Sequence, residues 1–385
     1  MDDRTGPSRG PRQPSRGLTR RDFARMTALL SAGATLPFYN ESALAQDLRA
    51  IAKIPPDAVR LNANENPMGP CPAAIEAMRN VLPEGGRYLF THSFDFIDTL
   101  AMQEGVPASH VLPFPGSSDP LHRSIMAFTS AKRPFVTADP GYEAPERAAR
   151  FVGAKVIQVP LRKDYSHDPI AMAGAHPEAG AIYVCNPNNP TGTVTSKADI
   201  IALVENKPKG CVVVIDEAYI HFTTATSPAT DLVAAGKDVI VLRTFSKLYG
   251  MAGLRAGAAV ARPDLLEKLK SYGGLGIMPA TGMVGATASL KEPYLIAERR
   301  GTVTSIREDL FSWMDRKGYS YIPSEANMVL VRGKGSGRQT TDAMLVHKVA
   351  VGRSWPSLPH HVRVTIGTRE EMAKFKGAFE RVMEA

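Results

Sequence analysis

From residue 111 to residue 270, short apolar segments rich in β-branched residues alternate with segments that place apolar residues at helical spacing. Alternation of this kind is typical of an α/β layer in which helices cover a mostly parallel sheet. The candidate strands are Phe135–Thr137, Lys155–Val159, Ala181–Cys185, Cys211–Ile215, Val239–Leu242 and Ala256–Val260. The candidate helices are Pro120–Phe128, Glu143–Phe151, Ser196–Glu205 and Pro263–Lys270. We therefore predict an α/β domain in this part of the chain.

The pattern changes beyond about Lys291, where a smaller α+β domain is predicted. Its expected elements are a long amphipathic helix around Ile296–Lys317, strands at Asn327–Val331 and His361–Ile366, and a last helix at Arg369–Met383. A chain of 385 residues with 44% hydrophobic content is long enough for two such domains. The predicted organisation is a signal segment at 1–45, an arm at 46–75 that contributes to the small domain, a large domain at 76–290 and the small domain at 291–385.

The first 45 residues have the form of an export signal. Arg20-Arg21-Asp22-Phe23 precedes an apolar stretch from Met26 to Phe38, and Ala43-Leu44-Ala45 has the form of a cleavage site. The arginine pair resembles the twin-arginine signal. We expect export to the periplasm after folding, with a mature form that begins near Gln46. The alternative is a disordered tail in which the two arginines are adjacent by chance.

Charge and cysteine content argue against several classes of protein. The net charge is +8, and residues 1–45 contribute +3 of it through seven Arg and four acidic residues. The remaining +5 is spread over 340 residues without a basic run, so nucleic-acid binding is not expected. No apolar run approaches twenty residues, so no membrane span is expected either. Cys71, Cys185 and Cys211 lack metal-ligand spacing, and we predict that the last two are buried.

Polar motifs stand at the ends of four predicted strands. In open α/β sheets, ligands bind outside the carboxyl ends of the strands. We therefore expect these motifs to converge on one pocket. The motifs are Pro115–Pro120, Asn186–Gly192, Asp216–Tyr219 and Arg243–Lys247.

Two of these motifs contain groups suited to a pyridine aldehyde cofactor. Asp216 follows four apolar residues, and a buried carboxylate needs a cation such as a protonated pyridine nitrogen. Tyr219 can donate to a phenolate oxygen of the same ligand. Lys247 can form an imine with an aldehyde if it is partly desolvated. The alternatives are that Asp216 caps a helix and that Lys247 is a solvated side chain.

Three further features suit a phosphate or a polar ring substituent. Arg255 offers a planar fork after a Gly-containing loop. The turn Gly116-Ser117-Ser118-Asp119 opens a helix with Pro120 near its start, and free N–H groups at that end attract anions. Asn189 is an amide donor in a Pro-flanked turn. The alternatives are a surface arginine for Arg255, an ordinary capped helix start for the Gly116–Asp119 turn and a plain Asn-Pro turn for Asn189.

Eight segments of the chain, and the order in which they occur, resemble the fold-type I, class I and II pyridoxal-phosphate (PLP) dependent aminotransferases. The resemblance is strongest to the histidinol-phosphate aminotransferase branch. The resemblance extends from Leu61 to Met383. It implies a large domain with a mostly parallel seven-stranded sheet between helices, a smaller α+β domain, PLP as cofactor and a homodimer with active sites at the interface. The segments are Leu61–Pro67, Gly86–Tyr88, Gly116–Asp119, Asp139–Tyr142, Asn186–Gly192, Asp216–Tyr219, Ser246–Arg255 and Val362–Thr368.

The resemblance implies a role for each matching residue. Lys247 would form the Schiff base with PLP and carry a proton between Cα and C4′ of the cofactor. Asp216 would pair with the ring nitrogen. The other contacts with PLP would come from Asn189 and Tyr219 at the ring hydroxyl, Tyr142 on the ring face, and Ser118, Asp119, Ser246, Arg255 and the second subunit's Tyr88 at the phosphate.

The implied substrates are an L-amino acid and a 2-oxo acid that exchange an amino group by a ping-pong mechanism. Arg363 and Asn189 would bind the substrate, with Arg363 on the α-carboxylate. Many relatives place a tyrosine near position 66 to touch the substrate's distal group, and this sequence has Asn66 and Met68 there. The alternatives are another PLP-dependent reaction, such as decarboxylation, elimination or oxidation, and a non-catalytic binding protein with the same fold.

Overall fold

A seven-stranded sheet forms the centre of the computed structural model, which describes residues 54–273 and 277–385. The predicted signal at 1–45 lies outside these residues. The described residues belong to one compact unit. Its strands are β1 (Val59–Leu61), β2 (Val111–Phe114), β3 (Phe135–Asp139), β4 (Val156–Pro160), β5 (Ala181–Cys185), β6 (Val212–Asp216), β7 (Val239–Thr244), β8 (Gly257–Ala261), β9 (Tyr321–Ile322), β10 (Met328–Arg332), β11 (Val349–Val351) and β12 (His361–Thr365).

Helices cover both faces of this sheet. They are α1 (Pro72–Val81), α2 (Thr91–Glu104), α3 (Ser118–Phe128), α4 (Ala144–Phe151), α5 (Pro169–Gly174), α6 (Lys197–Asn206), α7 (Thr230–Ala234), α8 (Pro263–Lys270), α9 (Ala280–Lys291), α10 (Leu295–Lys317), α11 (Gly337–Val346) and α12 (Arg369–Glu384). In the described ranges, none of them combines the length and the apolar character that crossing a bilayer requires.

The large sheet has the strand order β2-β8-β7-β6-β5-β3-β4. Strand β8 is antiparallel to both neighbours, and the other pairs are parallel. This is the mostly parallel seven-stranded sheet that the resemblance implies. The six predicted strands all lie in it, with ends that move by no more than two residues.

Burial on both sides explains why the central strands are continuous apolar runs. Every residue of β5, β6 and β7 is buried. In β6, Val212 and Val214 belong to one core cluster, whereas Val213 and Ile215 belong to a second cluster. Because side chains alternate between faces of a sheet, the two clusters are the two sides of one layer. Helices α3, α4 and α8 pack on the first side, and α1, α2, α6 and α9 on the second.

Two smaller sheets lie outside this layer. Strands β12, β10 and β9 form an antiparallel sheet, and β1 pairs in parallel with β11. The second pairing joins residues 59–61 to residues 349–351, so the predicted arm contacts the C-terminal region of the chain. The predicted domain bounds themselves stay a prediction.

Candidate active site

The polar motifs at the strand ends surround one cavity of about 320 Å³. It lies where β6 and β7 end, with the beginning of α3 at its edge. Eight of the twelve predicted site residues line it, so the topology brings together groups that are up to 137 positions apart in the sequence. These residues are Ser118, Tyr142, Asn189, Asp216, Tyr219, Ser246, Lys247 and Arg255.

Asp216 is the last residue of β6 and its side chain is buried. Oδ2 accepts a hydrogen bond from the Tyr183 hydroxyl at 3.0 Å, and Oδ1 accepts one from the backbone N–H of Ala218 at 3.1 Å. Burial, with the Asp216 charge beside it, holds the pKa of Tyr183 well above its usual value. Tyr183 therefore stays a hydrogen-bond donor, and both donors favour the ionised form of Asp216. A buried carboxylate facing a cavity suits a cationic ring nitrogen.

Lys247 enters the cavity from the loop after β7. Its side chain is buried, and Nζ donates to the backbone oxygen of Ala63 at 3.4 Å. Nζ also lies 5.6 Å from the centre of the Tyr219 ring. The amine is thus held in the same cavity as the Asp216 carboxylate, where an aldehyde could reach it.

A chain of hydrogen bonds runs from Tyr219 to Arg363. The Tyr219 hydroxyl accepts bonds from Nδ2 of Asn64 at 3.1 Å and Nδ2 of Asn189 at 3.5 Å. Oδ1 of Asn189 accepts a bond from Nη1 of Arg363 at 2.8 Å, and Nη2 of Arg363 donates to the backbone oxygen of Asn62 at 3.0 Å. Arg363 is 1% exposed and is not among the residues that line the cavity, but it bonds directly to Asn189, which is.

Arg255 and Ser246 form a donor group in another part of the cavity wall. Nη1 of Arg255 lies 3.2 Å from the Ser246 hydroxyl, and Nη2 lies 3.3 Å from the backbone oxygen of Pro115. Burial lowers the pKa of Arg255. Ser118 begins α3 beside them. Gly116 has φ +89°, and a Cβ atom there would lie 2.1 Å from Nη2 of Arg255, so only glycine allows this approach.

These donors match the chemistry of PLP. Hydroxyl groups, a guanidinium and a helix N-terminus suit a phosphate. The buried carboxylate suits a protonated pyridine nitrogen, and the amine suits an aldehyde. The residues that are present therefore fit the cofactor.

Comparison with known proteins agrees with this fit. The sequence pattern described as "Aminotransferase class I and II" matches residues 56–379. This chain belongs to that family. It follows that the protein is a PLP-dependent aminotransferase with the fold-type I architecture. The predictions of enzyme class, fold and cofactor are confirmed.

Two curated relatives have the same level of similarity and different names. The chain is 32% identical to a histidinol-phosphate aminotransferase of Moorella thermoacetica, over 85% of this chain and 86% of the relative. It is also 32% identical to an aromatic amino acid aminotransferase of Cutibacterium acnes, over 82% of this chain and 90% of the relative. Similarity to both therefore supports the aminotransferase class without selecting one substrate.

A solved structure with a similar fold contains the cofactor. The histidinol-phosphate aminotransferase of Sinorhizobium meliloti, in complex with pyridoxal-5'-phosphate, has a TM-score of 0.81 and 25% sequence identity. The match covers 94% of this chain and 98% of that chain.

Four predicted site residues of this aminotransferase lie outside the lining of the cavity. Besides Arg363, they are Asp119, Tyr88 and Asn66. The Asp119 carboxylate forms two bonds of 2.6 and 3.0 Å with Arg123, so any contact of Asp119 with an anion would come from its backbone N–H. Tyr88 is 70% exposed. Nδ2 of Asn66 donates to the backbone oxygen of Leu248 at 2.8 Å, and the residue lines a separate cavity with Met68.

Tyr183 and Asn64 bond directly to predicted site residues, but neither was itself predicted as a site residue. Tyr183 lies inside an apolar strand, and its bond to Asp216 spans 33 positions, so no local pattern reveals it. Asn64 has φ +53°, a conformation that asparagine tolerates better than most residues. It also accepts a bond from the Thr365 hydroxyl at 3.2 Å, which ties the arm to β12. The asparagine-rich segment 62–66 was the only sequence signal for it.

Proposed function

We propose that the protein transfers an amino group between an L-amino acid and a 2-oxo acid by a ping-pong mechanism. The observation that carries this proposal is the placement of the Lys247 amine and the Asp216 carboxylate in one cavity. In a ping-pong reaction the first oxo acid leaves before the second binds. One cavity that serves both half-reactions is sufficient for this order.

PLP, when bound, withdraws electrons from the substrate's Cα and so weakens its C–H bond. Ser118, Ser246 and Arg255 would hold the phosphate. Asp216 would hold the ring nitrogen in its protonated state, because separating a buried carboxylate from its cation is costly. The remaining ring contacts would come from Tyr142, Asn189 and Tyr219.

Lys247 would act as the general base and acid of the reaction. Its Nζ would take the proton from the substrate's Cα and return it on the cofactor side, as a positioned amine can. Arg363, directed by Asn189, would bind the α-carboxylate and so orient the Cα–H bond toward Lys247. Asn66 and Met68 line a separate cavity, so no contact of theirs with the substrate is proposed.

The test is a panel of amino acids offered to the purified protein with PLP. It would include histidinol phosphate and the aromatic amino acids, because relatives carry those names. We expect one donor or more to yield its 2-oxo acid in stoichiometric amount, and Lys247→Ala to abolish turnover while PLP still binds. Carbon dioxide, ammonia or peroxide as the product would show another PLP-dependent reaction. Full activity of Lys247→Ala would contradict the assignment.

We also propose that the protein is exported to the periplasm by the twin-arginine route. The support is the sequence of residues 20–45 alone. Because that route carries folded proteins, PLP would be acquired in the cytoplasm. Cell fractionation should recover the protein in the periplasm, and the double change Arg20→Lys with Arg21→Lys should retain it in the cytoplasm. Equal distribution of both forms would exclude this route.

We propose a homodimer, in which Tyr88 of one subunit contributes to the phosphate site of the other. The support is a group of exposed aromatic side chains in residues 88–94. Tyr88 is 70% exposed, Phe90 51% and Phe94 63%, and the first two rings stack at 5.5 Å. Large apolar side chains grouped on a surface are typical of an interface.

A further inference from the structure

The loop between β11 and β12 reaches from the small sheets to the turn that carries Tyr142. Arg353 in this loop forms a bidentate ion pair with Glu143, with Nη1 2.6 Å from Oε1. The Ser357 hydroxyl donates to Oδ1 of Asp139 at 3.0 Å. Asp139 ends β3 and Glu143 precedes α4. The loop is therefore attached to both ends of the Tyr142 turn.

Trp355, in the middle of this loop, contacts both the turn and Arg363. The indole is 2% exposed, and its Nε1 donates to the backbone oxygen of Gly141 at 3.0 Å. The guanidinium carbons of Arg353 and Arg363 lie 4.3 and 5.7 Å from the ring centre. Both distances are within the range of cation–π attraction. One side chain thus contacts the arginine predicted to bind the carboxylate and the residue that precedes Tyr142.

The direction of the Arg363 guanidinium is set from several sides. Asn189 accepts from Nη1, Asn62 accepts from Nη2, and Trp355 lies against the group. A carboxylate can accept two parallel hydrogen bonds from an arginine only when two N–H groups of the guanidinium point at it. Any residue that sets the direction of the Arg363 guanidinium therefore also sets the position of the substrate's α-carboxylate.

We propose that Trp355 is a positioning residue for the substrate's α-carboxylate, coupling the direction of Arg363 to the position of the Tyr142 turn. This inference rests on the proposed function, in which Arg363 binds the carboxylate. Trp355 does not line the cavity, so it acts through Arg363 and Gly141. It should therefore influence substrate binding more strongly than cofactor binding.

Steady-state kinetics of Trp355 variants test the proposal, with the best amino donor from the panel as substrate. Trp355→Ala removes the ring and the N–H donor and should raise KM roughly tenfold, with kcat changed by about twofold or less. Trp355→Phe keeps a ring and should raise KM only about threefold. The affinity for PLP should stay within about twofold in both variants. Unchanged KM, or a parallel loss of kcat and PLP affinity, would overturn the proposal.

The second tryptophan supplies a matched control and a direct probe. The chain contains two tryptophans. Trp313, in α10, packs on Phe375 and Phe379. Trp313→Phe should keep KM unchanged, and it leaves Trp355 as the only tryptophan. Adding the 2-oxo acid that pairs with the selected donor, at concentrations above its measured KM, should change the fluorescence of Trp355 saturably.

The same titration with Arg363→Ala in the Trp313→Phe background should leave the fluorescence flat. A flat response while Arg363 is intact, or an identical response without it, would contradict the coupling. Failure of the proposed function would be visible in the unmodified protein, as absence of transamination with every amino acid. Failure of this inference would leave transamination by the unmodified protein intact and would be visible in the Trp313, Trp355 and Arg363 variants.

Discussion

At the scale of single residues, the contacts of Arg255 support its proposed role at the phosphate of the cofactor. Its guanidinium touches Ser246 and approaches the Gly116 turn where no side chain could fit. A lone serine or arginine could not be recognised as a phosphate ligand from its own sequence neighbours. The close packing of Gly116, Ser246 and Arg255 is what supports the proposed phosphate site.

Loss of the Arg255 guanidinium should weaken PLP binding. We expect Arg255→Ala to raise the dissociation constant of PLP roughly tenfold to a hundredfold, because a hydrogen bond to a charged group contributes about 1.5–3 kcal/mol. Arg255→Lys keeps the charge but not the planar guanidinium. Its dissociation constant for PLP should therefore lie between those of the unmodified protein and Arg255→Ala. The measurement is a spectroscopic titration of the protein with PLP. Arg338→Ala, whose side chain is 90% exposed, is the control, and equal affinity in all variants would refute the role.

At the scale of elements, patterns local to the sequence predicted the sheet well. Predicted and observed bounds agree for β5 and for α8, because an apolar run flanked by turn residues and a proline at a helix start are local signals. Helix α9 was not predicted. It contains Gly282 and Gly285, which lower helix propensity. A Cβ atom at Gly282 would lie 2.7 Å from the backbone oxygen of Leu254, so tertiary packing explains this glycine.

Contacts between distant elements could not be predicted. The pairing of β1 with β11 joins segments 290 positions apart, and no local pattern marks such a partner. The same holds for Trp355, whose bond to Gly141 spans 214 positions. The sequence did predict which residues stand at strand ends, because that depends only on where each apolar run stops. The ion pair of Asp119 with Arg123 is different: the two residues are four positions apart on α3, a local spacing from which the pair could have been predicted.

A contact between the segments that precede α5 and α6 should make stability depend on pH. His167 is 2% exposed, and its Nδ1 lies 2.8 Å from the Thr195 hydroxyl. Burial lowers the pKa of His167 from 6.5 to about 4. Between these values the unfolded chain binds the proton and the folded chain does not. Folding is therefore favoured above pH 6.5, and this contribution is lost as the pH falls toward 4.

His167→Asn should reduce this dependence. The free energy of unfolding of the unmodified protein should fall by up to about 3 kcal/mol more between pH 7 and pH 4 than that of the variant. Urea denaturation at several pH values measures the difference. His360→Asn removes an exposed histidine and is the control. Parallel pH profiles of the His167 variant and the unmodified protein would exclude the buried imidazole as the cause.

At the scale of the whole molecule, the exposed side chains of Tyr88, Phe90 and Phe94 suggest the surface through which two copies assemble. We expect the protein to sediment as a dimer, and Phe94→Asp to shift it toward the monomer by placing a charge in the apolar contact. PLP affinity should fall with it, since Tyr88 would no longer reach the partner's site. Phe151→Asp changes a phenylalanine with 52% exposure at the end of α4 and should leave the dimer intact. A dimer in the Phe94 variant would place the interface elsewhere.

The central claim is that Lys247 binds PLP covalently. The most direct measurement is borohydride reduction of the PLP-loaded protein, followed by proteolysis and mass mapping of its lysines. We predict that the reduced cofactor is attached to the peptide that contains Lys247, and that Lys247→Ala protein carries none. A label on another lysine, or no label on folded protein saturated with PLP, would contradict the claim.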